Sequence, residues 1–323
     1  MIALVALVVI FARVEVGAED GTGPVLVVRS GDLPQYDEAV ASFAAAIEAP
    51  LIDIEIGESR ERETRRLADA AARHHPRAVY ALGARAAYLS RRMLPEVPAV
   101  FAMVVGWQRY GLDSGPVTGV ALEIPVDSLF TRIKLMLPHV KSLGVIHGDG
   151  TDAELLERAR AAASVLGMTL VAEHVNADDE VPGAYRRMRR NIDALWMLAD
   201  PIVVTRDNFA YLARRTRTDG IAFIGFSENF VRAGALVSVS PSYATMGTQA
   251  AILLERLLAD PSAVPPVQTP VAAKLVINAD TIAALGLDLD AATIGMADRV
   301  VNLASSSRLA GGNGDDEEAH HAH

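Results

Sequence analysis

From Pro24 onward the chain alternates short apolar runs of strand length with longer amphipathic stretches, and it does so in two successive series. The first series predicts strands at Val25–Val28, Leu51–Ile56, Val79–Leu82 and Ala99–Met103, separated by helices at about Gln35–Glu48, Ser59–His74 and Ala84–Met93. The second runs through strands Val117–Leu122, Ser142–His147, Met168–Glu173, Ala194–Leu198 and Ile221–Ile224, with helices near Pro125–Leu137, Asp152–Leu166, Glu180–Arg190 and Thr205–Arg217. Alternation of this kind forces parallel pairing, because each helix carries the chain back before the next strand begins. The expectation is α/β architecture: two lobes, each a mostly parallel sheet flanked by helices.

Length agrees, since 323 residues is about twice a typical domain. A last strong helix is expected at Tyr243–Ala259 and a last strand at Lys274–Ile277, after which the pattern decays. Residues 291–323 therefore read as a C-terminal tail, disordered from about 310, where AGGNGDDEEAHHAH is acidic and histidine-ended. Those histidines lack fixed neighbours, so no metal site is expected there.

Composition removes several function classes. A net charge of −10 and 5% aromatic residues supply neither the basic footprint nor the stacking platform that nucleic acids require. The one basic cluster, Arg186, Arg187, Arg189 and Arg190, belongs to a solvated helix face. With no cysteine, disulfides, thiolate catalysis, a cysteine-linked lipid anchor and Cys-based zinc sites are excluded. At the N-terminus, the apolar run Ile2–Ala12 followed by Val16-Gly17-Ala18 reads as a signal peptide over residues 1–18, although no Lys or Arg precedes it. At about eleven residues the run is short of the roughly twenty that span a bilayer.

The stretch GFSENFVRAGALVSVSPSY from Gly225 to Tyr243 carries more specific information. With Thr118-Gly119-Val120 upstream and Leu275-Val276-Ile277-Asn278 and Ala283-Ala284-Leu285-Gly286-Leu287 downstream, it resembles the ABC-transporter substrate-binding protein family that includes tryptophan- and phenylalanine-binding members. The resemblance covers Pro24 to Asp290. It implies a two-lobed periplasmic-binding-protein fold of type 1, a small-molecule ligand in the cleft, an ABC permease as partner and a periplasmic or otherwise exported location. It also implies three crossings between lobes, forming a hinge near Thr118–Leu122, Ser238–Tyr243 and Thr269–Lys274. Lobe 1 is then 24–118 plus 241–266, and lobe 2 is 119–240 plus 267–290. A monomer is expected, with no cofactor.

In open parallel sheets, ligands gather at the carboxyl ends of the strands, where helix N-termini point N–H groups into the crevice. This rule selects Ser30, Gly31 and Tyr36 after the first strand, and Gly83, Ala84 and Arg85 after the third, where the resemblance also places a ligand-facing loop. From the second series it selects His147, Asp200, Ser227, Glu228 and Tyr243. The resembling amino-acid binders carry an Asp within a Thr-Asp-Asn-like motif at the strand end matching Asp200, which implies a contact to a ligand ammonium. Here Ala199 precedes it and Pro201-Ile202 follows, and a turn-forming or helix-capping role for Asp200 stands beside the ligand role.

Enzymatic motifs are incomplete. Gly225-Phe226-Ser227-Glu228-Asn229 approaches a nucleophile elbow but ends in Asn. No glycine-rich dinucleotide or triphosphate loop occurs, and His147-Gly148-Asp149-Gly150 suits a strand-end turn. The leading expectation is a binding protein for an amino acid or related carboxylate that performs no chemistry. A ligand-sensing protein for a membrane receptor kinase and an α/β enzyme acting on a small acid are the alternatives. A transcriptional regulator would need a helix-turn-helix ahead of the first lobe, where only the short apolar segment stands.

Overall fold

The computed structural model describes residues 23–57 and 60–302. The signal-peptide segment, Ser59 at the start of its expected helix and the acidic His-ended tail lie outside the described residues. The chain forms two compact units: Leu122 closes the first passage through unit 1, Tyr243–Gln268 returns to it, and Glu123–Ser242 with the segment from Thr269 builds unit 2.

Unit 1 contains strands β1 (Val25–Arg29), β2 (Leu51–Glu55), β3 (Ala78–Leu82), β4 (Ala99–Val104) and β5 (Val117–Ala121), all parallel, in the order β2-β1-β3-β4-β5. Alternation along the strands divides the core between the two faces. Val25, Val27, Tyr80 and Leu82 face one cluster, and Leu26, Val28, Val79 and Ala81 the other. Helices α1 (Pro34–Ala46) and α9 (Tyr243–Ala259) cover the first face, with Phe43 stacked on Tyr80. Gly247 allows their close approach, because a Cβ there would run into the Ala39 carbonyl. The second face takes α2 (Arg60–His74) and α3 (Ala84–Met93).

Unit 2 holds a seven-stranded sheet in the order β12-β11-β10-β9-β8-β6-β7. Its parallel part is β6 (Ser142–His147), β7 (Thr169–His174), β8 (Ala194–Met197), β9 (Ala222–Gly225) and β10 (Val237–Pro241). β11 (Ala273–Asn278) runs antiparallel to β10, and β12 (Arg299–Val301) lies parallel to β11 at the edge. Helices α4 (Val126–Met136) and α5 (Ala153–Val165) contribute to the core on one face. α6 (Val181–Met188), α7 (Arg206–Asp219) and the short α8 (Glu228–Arg232) contribute on the other. In α6, Arg186 and Arg187 are exposed and Arg187 pairs with Glu173, while Arg189, just past the helix, is held by Asp219.

Two expectations change. The segment after Leu289 is not a tail throughout: α10 (Ala279–Ala284) is followed by α11 (Ala291–Gly295), capped by Asp290, and then by β12, which adds a strand because Val301 buries against Val231 and Val276. The unit boundaries also differ from those expected. Residues 119–122 and 267–268 stay with unit 1, since β5 continues to Ala121 beside β4 and Gln268 bridges to Val120; Pro241 closes β10 and stays with unit 2.

Candidate functional site

At the carboxyl edge of the first sheet, β1 ends on Arg29, whose guanidinium is held by Asp37 and Asp53. The next residue links two loops. The Ser30 N–H donates to the Leu82 carbonyl at 2.9 Å, and the Ser30 hydroxyl accepts from the Ala86 N–H, in the first turn of α3, at 2.9 Å. Tyr36 is buried against the same spot; burial raises its pKa, and a hydrogen bond with Ser30 works against that shift. Gly31, at φ 111°, turns the chain out of the strand.

Gly83 completes this junction. It sits at φ 84°, a region L side chains rarely adopt, and donates its N–H to the Ala102 carbonyl at 2.9 Å. A Cβ here would strike the Tyr36 hydroxyl and come within 2.8 Å of the Ser30 oxygen. Three expected residues, Ser30, Tyr36 and Gly83, are thus brought together, with Ala84 opening α3 beside them. Tyr243 begins α9, half-buried against the same core cluster, with its pKa raised by burial and then by the charge of Glu38. Arg85 departs from expectation: its Nε lies 3.1 Å from Glu63, a carboxylate only 3% exposed on α2, so this guanidinium serves an internal ion pair.

The second sheet has a different character. Asp200 is 3% exposed, and its carboxylate takes four hydrogen bonds: from Gly148 N–H at 2.9 Å, Thr151 hydroxyl at 2.7 Å, Ile202 N–H at 2.9 Å and Val203 N–H at 3.3 Å. Burial alone would push its pKa up; these donors outweigh that and hold it below the ordinary carboxylate range. A carboxylate offers about four acceptor positions, and all are taken. These bonds support the turn-forming role for Asp200, which ties the loop after β8 to the loop after β6. His147, at the end of β6, points its Nδ1 toward the Gly148 carbonyl at 3.4 Å and packs edge-on against His174.

Ser227 stands at the N-cap of α8, yet its side chain makes no cap hydrogen bond. Glu228, next to it, is met by three cations: Arg232 at 2.6 Å, Lys274 at 3.2 Å and Arg299 at 3.2 Å. Burial would raise its pKa, but hydrogen bonds from Arg232 and Lys274 and the charges of Lys274 and Arg299 lower it.

Sequence patterns did not single out Glu63, Thr151, Lys274, Arg299 or Met103. Met103 adopts φ 61° where the β4–β5 register slips between Ala102 and Val104, a strained position of the kind that gathers near functional edges. A methionine inside an apolar run carries no sequence signal for a left-handed backbone. Among the described residues no helix is long and apolar enough to cross a membrane.

A family model described as ABC transporter substrate binding protein matches residues 50–301. Among solved structures, the chain is similar to the ligand-free, open form of a substrate-binding protein with adhesive properties from Clostridium difficile, at 18% identity and TM-score 0.72 over 87% of this chain and 99% of that one. It is also similar to the ABC domain from Streptococcus pneumonia in complex with L-Trp, at 18% identity and TM-score 0.60 over 87% and 100%. A conserved domain protein from Vibrio cholerae gives 20% identity and TM-score 0.59 over 87% and 100%. At such identities the likeness is one of fold, that of the type 1 periplasmic binding proteins. No curated protein matches the sequence.

Proposed function

The chain belongs to the ABC transporter substrate-binding protein family, and from that premise we propose that it is an exported receptor for a small carboxylate, an amino acid or related acid, which it delivers to an ABC permease. The observation that carries this reading is the junction of Ser30, Tyr36 and Gly83 at the start of α3. A bare glycine lets the Tyr36 and Ser30 hydroxyls close up on the start of α3, and the dipole of that helix favours an incoming carboxylate beside them. Leu33 and Val105, exposed apolar side chains in the loops leaving β1 and β4, suit the carbon skeleton of such an acid.

The remaining contacts proposed at this edge come from Gly31, Ala84 and Tyr243; in unit 2, His147 and Ser227, whose hydroxyl is not spent on capping α8, are the candidates at that unit's own strand ends. Export is supported by the apolar run Ile2–Ala12 and the small residues Val16-Gly17-Ala18.

Mass spectrometry of small acids carried by the native protein, followed by calorimetry with each acid on wild type and Gly83→Val, tests the binding proposal. A bound acid whose affinity collapses in the variant is the expected result. Equal affinity in a folded Gly83→Val protein removes the junction from the site. For export, N-terminal sequencing of the native protein is expected to find a chain beginning near Glu19, and an intact Met1 on a cytoplasmic protein overturns it.

A further inference from the structure

The alternation of β11 and β12 places Lys274 and Val276 on one face, with Arg299 beside Val276 and Val301 following on the same side. On α8, Glu228 and Arg232 are one turn apart. The result has two layers. Val231, Val276 and Val301 form a dry base, and Glu228, Arg232, Lys274 and Arg299 form a charged layer above it. The pairing Ser240 with Lys274 locates this layer at the carboxyl end of β10, the ligand-collecting edge of an α/β sheet.

Here three cations, supplied by α8, β11 and β12, converge on a single carboxylate, and the four charges sum to a surplus of two positive. The cations remain reachable from solvent, with side-chain exposures of 30% for Arg232, 37% for Lys274 and 51% for Arg299. Asp298, next to Arg299, accepts the Leu275 N–H at 2.7 Å and adds one negative charge beside the cluster, leaving it net positive.

We propose that Arg232, Lys274 and Arg299, pre-arranged around Glu228, form an oxyanion subsite that takes a phosphate, phosphonate, sulfonate or second carboxylate group. Glu228 competes with the incoming anion for the three cations, so it sets the affinity. The oxyanion is either a free inorganic ion or the second acidic group of the transported solute. In the second case the subsite rests on the function proposed above and makes that solute a diacid.

The test uses the full chain with inorganic phosphate as probe, in calorimetry at fixed ionic strength with chloride as the control salt. Saturable phosphate binding is expected in wild type, weakened about tenfold or more in Lys274→Gln/Arg299→Gln. Arg299→Gln alone, on the short edge strand, gives a milder loss and guards against misfolding of the double variant. Glu228→Gln is expected to bind phosphate more tightly, because the internal competitor is gone. A purely structural ion cluster makes the opposite prediction, since loss of its central carboxylate would splay the cations and weaken any anion binding. Absence of saturable binding in wild type, unchanged binding in the folded double variant, or weaker binding in Glu228→Gln overturns the proposal. Gly83→Val separates the two ideas: phosphate binding there persists even if solute binding at the first sheet is lost. Competition between phosphate and a co-purified acid assigns the subsite to that solute, and simultaneous binding assigns it to a free ion.

Discussion

The two sheets meet the same problem at their carboxyl edges, that of satisfying the N–H groups of the loops leaving parallel strands, and they solve it in opposite ways. In unit 2 the protein supplies its own carboxylate: Asp200 takes the N–H groups of Gly148, Ile202 and Val203 and the hydroxyl of Thr151. In unit 1 the equivalent place around Gly83 has hydroxyls and an absent side chain. Charge at that edge is paired, Arg85 with Glu63 and Arg29 with Asp37 and Asp53. The difference teaches that an acid at a strand end is not by itself a ligand contact. A loop already saturated by an internal carboxylate has nothing left to offer an external one, whereas a glycine-framed helix start beside two hydroxyls does.

Asp200→Ala is the strongest way to break this contrast. It orphans buried N–H groups in two loops, each worth about 1 to 3 kcal/mol, so a loss of about 3 kcal/mol or more is expected in urea denaturation. Ligand affinity of the fraction that folds should scarcely change; a large affinity loss with normal stability would return Asp200 to the binding role. The pH dependence follows from the same bonds. Because the folded pKa is depressed, the Asp200 contribution is fully present above the unfolded carboxyl pKa of about 3.9 and is lost as pH falls through the lower folded value. Acid titration of stability in wild type and Asp200→Asn checks the sign.

Gly83→Ala tests the other side. A left-handed position that also meets the Tyr36 hydroxyl should cost about 1 to 3 kcal/mol of stability, with a drop in ligand affinity as the turn shifts. Adding Tyr36→Phe removes the nearest of the atoms that are struck, the others being on Ser30, so the double variant should recover part of the stability. Simple additivity of the two losses would mean that the junction is not a single packed unit.

A smaller effect is expected for Glu228→Gln. Its partners are partly exposed and screened by solvent, so removal of the carboxylate charge should cost about 1 kcal/mol or less, shrinking further in high salt. A loss as large as that of Asp200→Ala would show that the charged layer is structural in the way the Asp200 loop is.

The fold was legible because alternating apolar and amphipathic runs are local signals, and Val25–Arg29 or Ala78–Leu82 declare themselves whatever surrounds them. Arg299–Val301 did not, since three residues carry no period and its pairing with Val276–Asn278 exists only in space. The site was half legible for the same reason. A glycine after a buried strand marks a close approach, and Glu228 with Arg232 shows the spacing of a helical ion pair, but Lys274 and Arg299 join it from distant strands. The fate of Asp200 was decided by Gly148 and Thr151, far upstream, and no pattern around Asp200 itself names them.

Ser238 offers the finest test of how the two edges differ. It lies in β10 opposite Val276, fully buried, and its hydroxyl has no hydrogen-bond partner among the described residues. The Ser30 hydroxyl in unit 1 is held by the Ala86 N–H and joined to Tyr36, so it contributes to the junction. An unpaired buried hydroxyl instead costs its desolvation, and removing it relieves that cost while leaving only a small void. Ser238→Ala should therefore be neutral or stabilising by up to about 1 kcal/mol, whereas Ser30→Ala should be destabilising by about that amount. Paired denaturation curves measure both. If Ser238→Ala destabilises as much as Ser30→Ala, the Ser238 hydroxyl is bonded in solution, by a buried water or a bound solute, and the second sheet uses its hydroxyls as the first does.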